Sequence, residues 1–254
     1  MPLPVALQLY SVREAAEKDY AAAVRTIASF GYAGVETAGF PGIGAEAAGK
    51  LYRELGLAVP SAHTALPLGN KKNQVIEEMQ AIGSKRIISP AEGRDKYKTV
   101  DGIKQVRDLF NEASAVAKQY GMTLGVHNHW WEYMKVEGDG RYAYQILQEG
   151  LDPDVFFQVD VYWTQTAGVD PAKAIKELGK RVLMLHLKDG PCNKEDPMTA
   201  LGDGVVDIPA VVKAGEVVGS DWLVVELDRC ATDMYEAVKK SLDYLKLNSL
   251  GRGR

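Results

Sequence analysis

VDGIKQVRDLFNEASAVAKQYGMTLGVHNHWWE, residues 100–132, sets one long helix directly ahead of one short strand. Val100, Ile103, Val106, Leu109, Phe110, Ala113, Val116 and Ala117 recur three or four positions apart, which places them on a single apolar face. Gly121 then ends the helix, since a glycine tolerates the left-handed conformation of a C-cap. The next residues switch to a β-rich run over 123–128, and that run ends in polar and aromatic residues. A helix, a glycine and a short buried strand make one unit of a βα repeat.

Working outward, the same unit recurs. Strands are expected at 5–10, 34–37, 58–63, 86–89, 123–128, 155–160, 182–188 and 222–226. Helices are expected near 19–30, 44–55, 71–82, 100–120, 141–149, 171–179, 208–218 and 232–246. Gly31 and Gly56 repeat the glycine stop before a strand, and Asp170-Pro171 reads as an N-cap with proline in the first turn. Eight alternations predict a parallel sheet with helices outside, closed into one (β/α)8 barrel over residues 1–254. An open doubly wound sheet also fits the alternation, but no glycine-rich dinucleotide turn follows the first strand. Two connections are long, 90–99 and 189–207, and loops of that length commonly cover a site.

Composition narrows the function. The chain has 254 residues, 46% hydrophobic and 25% charged, with a formal charge of −4. That acidic balance speaks against nucleic acid as partner, and Arg252-Gly253-Arg254 is too short for a basic arm. No apolar run approaches the ~20 residues of a membrane helix, and residues 1–10 lack the basic start of a signal peptide. Two cysteines do not make a disulfide framework, so a cytoplasmic setting is expected.

Barrel chemistry sits at the C-terminal strand ends. There the chain places His127-Asn128-His129-Trp130-Trp131-Glu132, then Asp160, then His186-Leu187-Lys188-Asp189, then Glu226-Leu227-Asp228. Singly, each of these has an ordinary structural role, as a helix cap, an ion-pair partner or a hydrogen-bonded histidine. Together, imidazoles and carboxylates from four successive strands suit one divalent transition ion such as Mn, Co, Zn or Fe. Buried carboxylates also need a cation or strong donors to offset their desolvation.

These segments, with Gln8-Leu9-Tyr10-Ser11-Val12-Arg13, Asp160-Val161-Tyr162-Trp163, Gly202-Asp203-Gly204-Val205-Val206-Asp207 and Val224-Val225-Glu226, make the chain resemble the xylose-isomerase-like barrels, in the sugar phosphate isomerase/epimerase group. The resemblance covers the chain from end to end. It implies one divalent metal, Mn, Co or Zn, held as ketose 3-epimerases hold theirs, by Glu, Asp, His and Glu. Asp160, His186 and Glu226 carry over directly. His127 stands where those epimerases place their first glutamate, and Glu132, five residues on, is expected as the fourth ligand. His127 is then acid/base or an alternative ligand, paired with Glu226, and Lys188 bonds a substrate oxygen, stabilises charge or pairs with Asp160 or Glu226. The implied reaction moves a proton beside the carbonyl of a keto-sugar. The departure at His127 equally allows a lyase or dehydratase removing a β-oxygen from a 3-keto-sugar, keto-glycoside or inosose. A non-catalytic sugar-binding barrel and an apurinic endonuclease are the remaining readings, the latter disfavoured by the acidic chain and its four histidines.

His129, Trp131, Trp163 and His63 are the expected substrate contacts, because sugars stack their C–H faces on aromatic rings. Trp130 and Tyr162 are placed in the same wall. Glu36, ending strand two, is a weaker candidate for the pocket, and Cys230 takes no role. The Gly202-Asp203-Gly204 run is read as a tight turn, since a phosphate cradle needs a strand–turn–helix context. The expected partner is a small carbohydrate, with a homo-oligomer possible in principle.

Overall fold

In the computed structural model, which describes residues 1–90 and 93–254, eight parallel strands form a nearly closed barrel. They are β1 Leu3–Gln8, β2 Gly34–Glu36, β3 Ala62–His63, β4 Arg86–Pro90, β5 Thr123–His127, β6 Phe156–Asp160, β7 Val182–Leu187 and β8 Trp222–Val225. Pairing follows β2-β1-β8-β7-β6-β5-β4-β3, and the parallel bridges Gly34↔Ala58 and Thr37↔Ala62 join the two ends. Between the strands lie α1 Arg13–Lys18, α2 Tyr20–Phe30, α3 Ala45–Glu54, α4 Lys72–Ile82, α5 Val100–Gln119, α6 Ala143–Glu149, α7 Val161–Thr166, α8 Pro171–Leu178, α9 Ile208–Val218 and α10 Met234–Leu247. None of the described helices is long and apolar enough to cross a membrane.

The expected periodicity of α5 holds. Ile103, Val106, Phe110, Ala113 and Ala117 are buried against the barrel, and Thr99 caps the helix through the Gly102 amide. Most sequence-expected elements lie within a few residues of their positions, and three differences have physical causes. β3 shrinks to two residues because Pro60 has no N–H to give a ladder, which leaves Ala58 as an isolated bridge. β1 ends at Gln8 rather than residue 10, where the Gln8 side chain accepts the Tyr10 amide at 3.2 Å and starts a 3-10 turn. α7 begins directly after β6, capped by Asp160. A short strand, β9 Gly251–Arg252, also pairs with β1.

Two cores result. Outward strand residues pack against helices, whereas Ala6, Ile88, Phe156, Met184 and Val224 fill the barrel interior as a separate apolar cluster. Gly125 leaves the space that the Phe156 ring takes within it. Side chains alternate along a strand, so residues two positions further on rise above this layer toward the C-terminal mouth. There the interior turns polar, with Gln8, Gln158, His186 and Glu226 all buried.

The long connections meet over this mouth. Of the segment 90–99, residues 91 and 92 lie outside the described residues. Arg94 from that segment and Lys194 from 189–207 both contact the Trp130 ring, at 4.6 and 3.5 Å from its centroid. The second connection wraps one buried carboxylate. Asp189 accepts the amides of Gly190, Gly202, Gly204 and Val206 at 2.8–3.2 Å. The glycine-rich run is thus a turn folded around a side chain of this chain, and a Cβ on Gly204 would collide with that carboxylate.

Candidate metal centre

His127 closes β5, Asp160 closes β6, His186 lies within β7 and Glu226 follows β8. All four are buried, and each offers one nitrogen or oxygen atom within 4.8 Å of the others. His127 Nε2 stands 3.9 Å from Asp160 Oδ2, and His186 Nδ1 stands 2.9 Å from Glu226 Oε2. Lys188, two residues past His186, points the same way. Its Nζ lies 2.6 Å from Glu226, 3.1 Å from Asp160 Oδ2 and 3.0 Å from both oxygens of Asp228.

The other face of the site is built by Glu36 from β2. Its Oε1 accepts from Gln8 Nε2 at 2.7 Å and His186 Nε2 at 2.5 Å, with His63 Nε2 at 3.2 Å. Its Oε2 accepts from Gln158 Nε2 at 2.6 Å and from the Ser61 hydroxyl. Five side chains from five places in the chain converge on one buried carboxylate.

Burial and neighbouring charge then compete. Burial pushes Glu36 up, but His63 and His186 overcome it and hold the carboxyl well below its usual range. For Glu226 burial again acts upward, and Lys188 with His186 brings it below the ordinary value. Asp160 goes the other way: burial outweighs Lys188 and His186 and lifts it to about 6. Burial opposes the charge of His186, yet Glu36 and Glu226 raise it to about 10. Lys188 is held well above its usual value against burial by Asp160, Glu226 and Asp228. His127 has no such partner, and burial with the charges of His186 and His63 drives it well below the usual imidazole value. These causes favour its uncharged form.

A divalent cation fits these residues. Asp160 Oδ1 is committed to the Trp163 amide at 2.9 Å, while Oδ2 is buried and has no hydrogen-bond partner even with the lysine ammonium 3.1 Å away. Four carboxylates (Glu36, Asp160, Glu226, Asp228) face the cations His186 and Lys188, which leaves negative charge in excess. Two imidazoles and two carboxylates form a donor set for Mn, Co, Zn or Fe.

The structure does not bring Glu132 into that group. Its Oε2 accepts the His129 amide at 2.8 Å, which folds the carboxylate onto its own turn, and Oε1 is buried without a partner. Burial raises this carboxyl to about 8. His127 stands in the group of four in its place. His129 and Trp131 stack at 4.1 Å beside Glu132, and His129 Nδ1 and Trp131 Nε1 are likewise buried and unpartnered. His63, His127, His129, Trp163, Lys188 and Glu226 share a cavity of about 540 Å³. Tyr162 does not join it; the ring is fully buried and its hydroxyl donates to the Asn193 carbonyl at 3.1 Å. The hub role of Glu36, with Gln8 and Gln158, is what sequence reasoning underrated. Its signal was present: polar side chains in strand positions that a closed barrel buries.

A family model described as xylose isomerase-like TIM barrel matches residues 24–247. The chain belongs to this family. Among solved structures, two sugar phosphate isomerase/epimerases from Parabacteroides distasonis superpose with TM-scores of 0.82 and 0.80 at 24% and 25% identity. The first match covers 99% of this chain and 96% of that one, the second 96% and 98%. The IOLI protein, solved with a bound zinc atom, has a TM-score of 0.75 at 14% identity over 98% of both chains. No curated protein matches the sequence.

Proposed function

We propose that this barrel is a divalent-metal-dependent carbohydrate enzyme that moves a proton at the carbon beside the carbonyl of a keto-sugar, as an isomerase or epimerase does. The observation that carries the reading is the buried group of His127, Asp160, His186 and Glu226 at the C-terminal mouth. These four residues would hold the ion, with His127 taking the ligand place expected of Glu132 from the sequence. A bound Mn, Co or Zn ion supplies Lewis acidity that makes the neighbouring C–H of a ketone more acidic.

The chain's own groups then handle the proton. Glu226 presents a carboxylate oxygen to the cavity, and Lys188, 2.6 Å from it, holds the ammonium that returns a proton or binds a substrate oxygen. Trp163 and His129 offer ring faces to a sugar. Of the aromatic and acidic residues of that turn, His129 lines the cavity, with Trp131 stacked on it and Glu132 buried behind. The zinc held by the IOLI protein supports the metal part of the reading.

One observation favours a second reading, elimination from a keto-glycoside or inosose. A second cavity of about 510 Å³ adjoins the first, and the two share Arg13, Asp228 and Arg229 in their walls. That is room for a leaving group beyond the ring at the metal. Purified protein, metal-loaded and incubated in D2O with ketohexoses, keto-glycosides and inososes, separates the two by NMR. Deuterium at the α-carbon without a new product supports epimerisation; an eliminated fragment supports the lyase. Failure to retain close to one divalent ion per chain from Mn, Co or Zn would sink both.

A further inference from the structure

The hydrogen-bond partners of Glu36 fix more than its own burial. A carboxylate only accepts, so each neighbour must give it a proton. His186 therefore carries hydrogen on Nε2 where it meets Glu36 Oε1 at 2.5 Å and, without a metal, also on Nδ1 where it meets Glu226 Oε2 at 2.9 Å. Gln158 must likewise direct its amide nitrogen to Glu36 Oε2 at 2.6 Å. Its amide oxygen then faces His127 Nδ1 at 3.0 Å and His63 Nε2 at 2.8 Å. An amide oxygen also only accepts, so His127 holds its proton on Nδ1. The lone pair of the ring is left on Nε2, 3.9 Å from Asp160 Oδ2.

We propose that Glu36 is the positioning residue of the centre: through Gln158 it sets the His127 tautomer that leaves Nε2 free, and it holds the Nε2 proton of His186, so that His127 Nε2 and, once its own proton is displaced, His186 Nδ1 are the nitrogens offered to a metal. Glu36 itself need not touch the ion or the substrate. Partners of this kind typically change metal affinity by about 10–100-fold when lost. This inference rests on the metal reading above for its consequence, but the His127 tautomer exists without an ion.

The test therefore begins on metal-free protein. In 15N-histidine-labelled wild type, long-range 15N–1H spectra should show His127 protonated on Nδ1 with Nε2 as the unprotonated, pyridine-type nitrogen. In Glu36→Gln the new amide offers a donor where Gln158 had an acceptor. Gln158 then turns over, and the unprotonated nitrogen of His127 should move to Nδ1. Zinc titration of the same two proteins should show affinity lower by about 10–100-fold in the variant, while Glu132→Gln keeps the His127 tautomer. Wild-type His127 protonated on Nε2 overturns the proposal even if Glu36→Gln fails to fold. So does a folded Glu36→Gln protein with the wild-type tautomer, or a switched tautomer with undiminished zinc affinity. Correct tautomers in a wild type that binds no divalent ion would instead defeat the metal reading and leave the tautomer assignment standing.

Discussion

Glu36 and Glu132 are both removed from solvent, at 0% and 1% exposure, and they differ in everything else that matters to a carboxylate. Glu36 has both oxygens saturated by Gln8, Ser61, Gln158, His63 and His186. Glu132 accepts a backbone amide on one oxygen, while the other lies 4.0 Å from His129 Nδ1 without a hydrogen bond. Their acidities diverge accordingly, Glu36 well below the ordinary value and Glu132 at about 8. Burial acts in the same direction on both. Partners decide the outcome, and they mark one carboxylate as a fixed anion that organises its surroundings and the other as a neutral acid with bonding capacity left over.

Stability measurements should expose this difference most strongly. In metal-free protein at pH 7, Glu36→Leu should cost about 3–5 kcal/mol, because it strands His186 and several buried donors. Glu132→Leu removes a partly unsatisfied group and should fall within about 1 kcal/mol of wild type, on either side. Urea unfolding of both variants reads the contrast. Equal losses would mean that the two carboxylates are held alike.

A smaller effect should follow the proton on Glu132. Its acid is raised from 4.5 in the ordinary state to about 8 in the fold. Below pH 4.5 both states carry the proton and the stabilisation is fully present. As pH rises from 4.5 to 8 the unfolded chain releases the proton and the folded one does not, so stability declines across that window. A tenfold change in acidity corresponds to about 1.4 kcal/mol, so the loss between pH 5 and pH 7 is on the order of 2–3 kcal/mol. Glu132→Gln should flatten the decline between pH 5 and 8 in urea titrations of apo protein. An unchanged slope would show that Glu132 ionises normally.

The barrel and most of the buried His/Asp/Glu group at its mouth are legible in the sequence for the same reason: both depend on short-range pattern. The 3.6-residue period of 100–120, the glycine stops and the polar strand ends are local, so Asp160, His186 and Glu226 were placed without coordinates. Which of His127 and Glu132 stands in that group is not a local matter. It depends on a 3-10 turn at Trp131–Tyr133 and on the His129 amide taking Glu132, which spacing along the chain does not reveal. Glu36 was harder still. Its partners lie 25 to 150 positions away, and only barrel closure brings β1, β2, β6 and β7 around one point. Pro60 was legible and underweighted, and β3 is shorter than expected because of it.

The histidines repeat the carboxylate comparison in opposite sign, and this gives the smallest effect. His186, between Glu36 and Glu226, is raised to about 10, so its contribution is complete below pH 6.5 and fades as pH climbs toward 10. His129, beside Glu132, is driven by burial and by Lys188 down to about 3, with Glu226 opposing. For His129 the folded ring stays neutral while the unfolded one takes a proton as pH falls through 6.5. Stability is therefore lost on acidification from 6.5 toward 3. A quarter of the His129 side chain, 26%, reaches solvent, which reduces the effect below its full linkage value. From pH 7.5 to 5, His129→Asn should lose about 1–2 kcal/mol less than wild type in urea unfolding of apo protein. The other buried histidines contribute equally to both proteins, so the difference isolates this ring. If the two lose stability in parallel, His129 is protonated in the fold, Glu132 beside it is an anion rather than a neutral acid, and the contrast with Glu36 collapses.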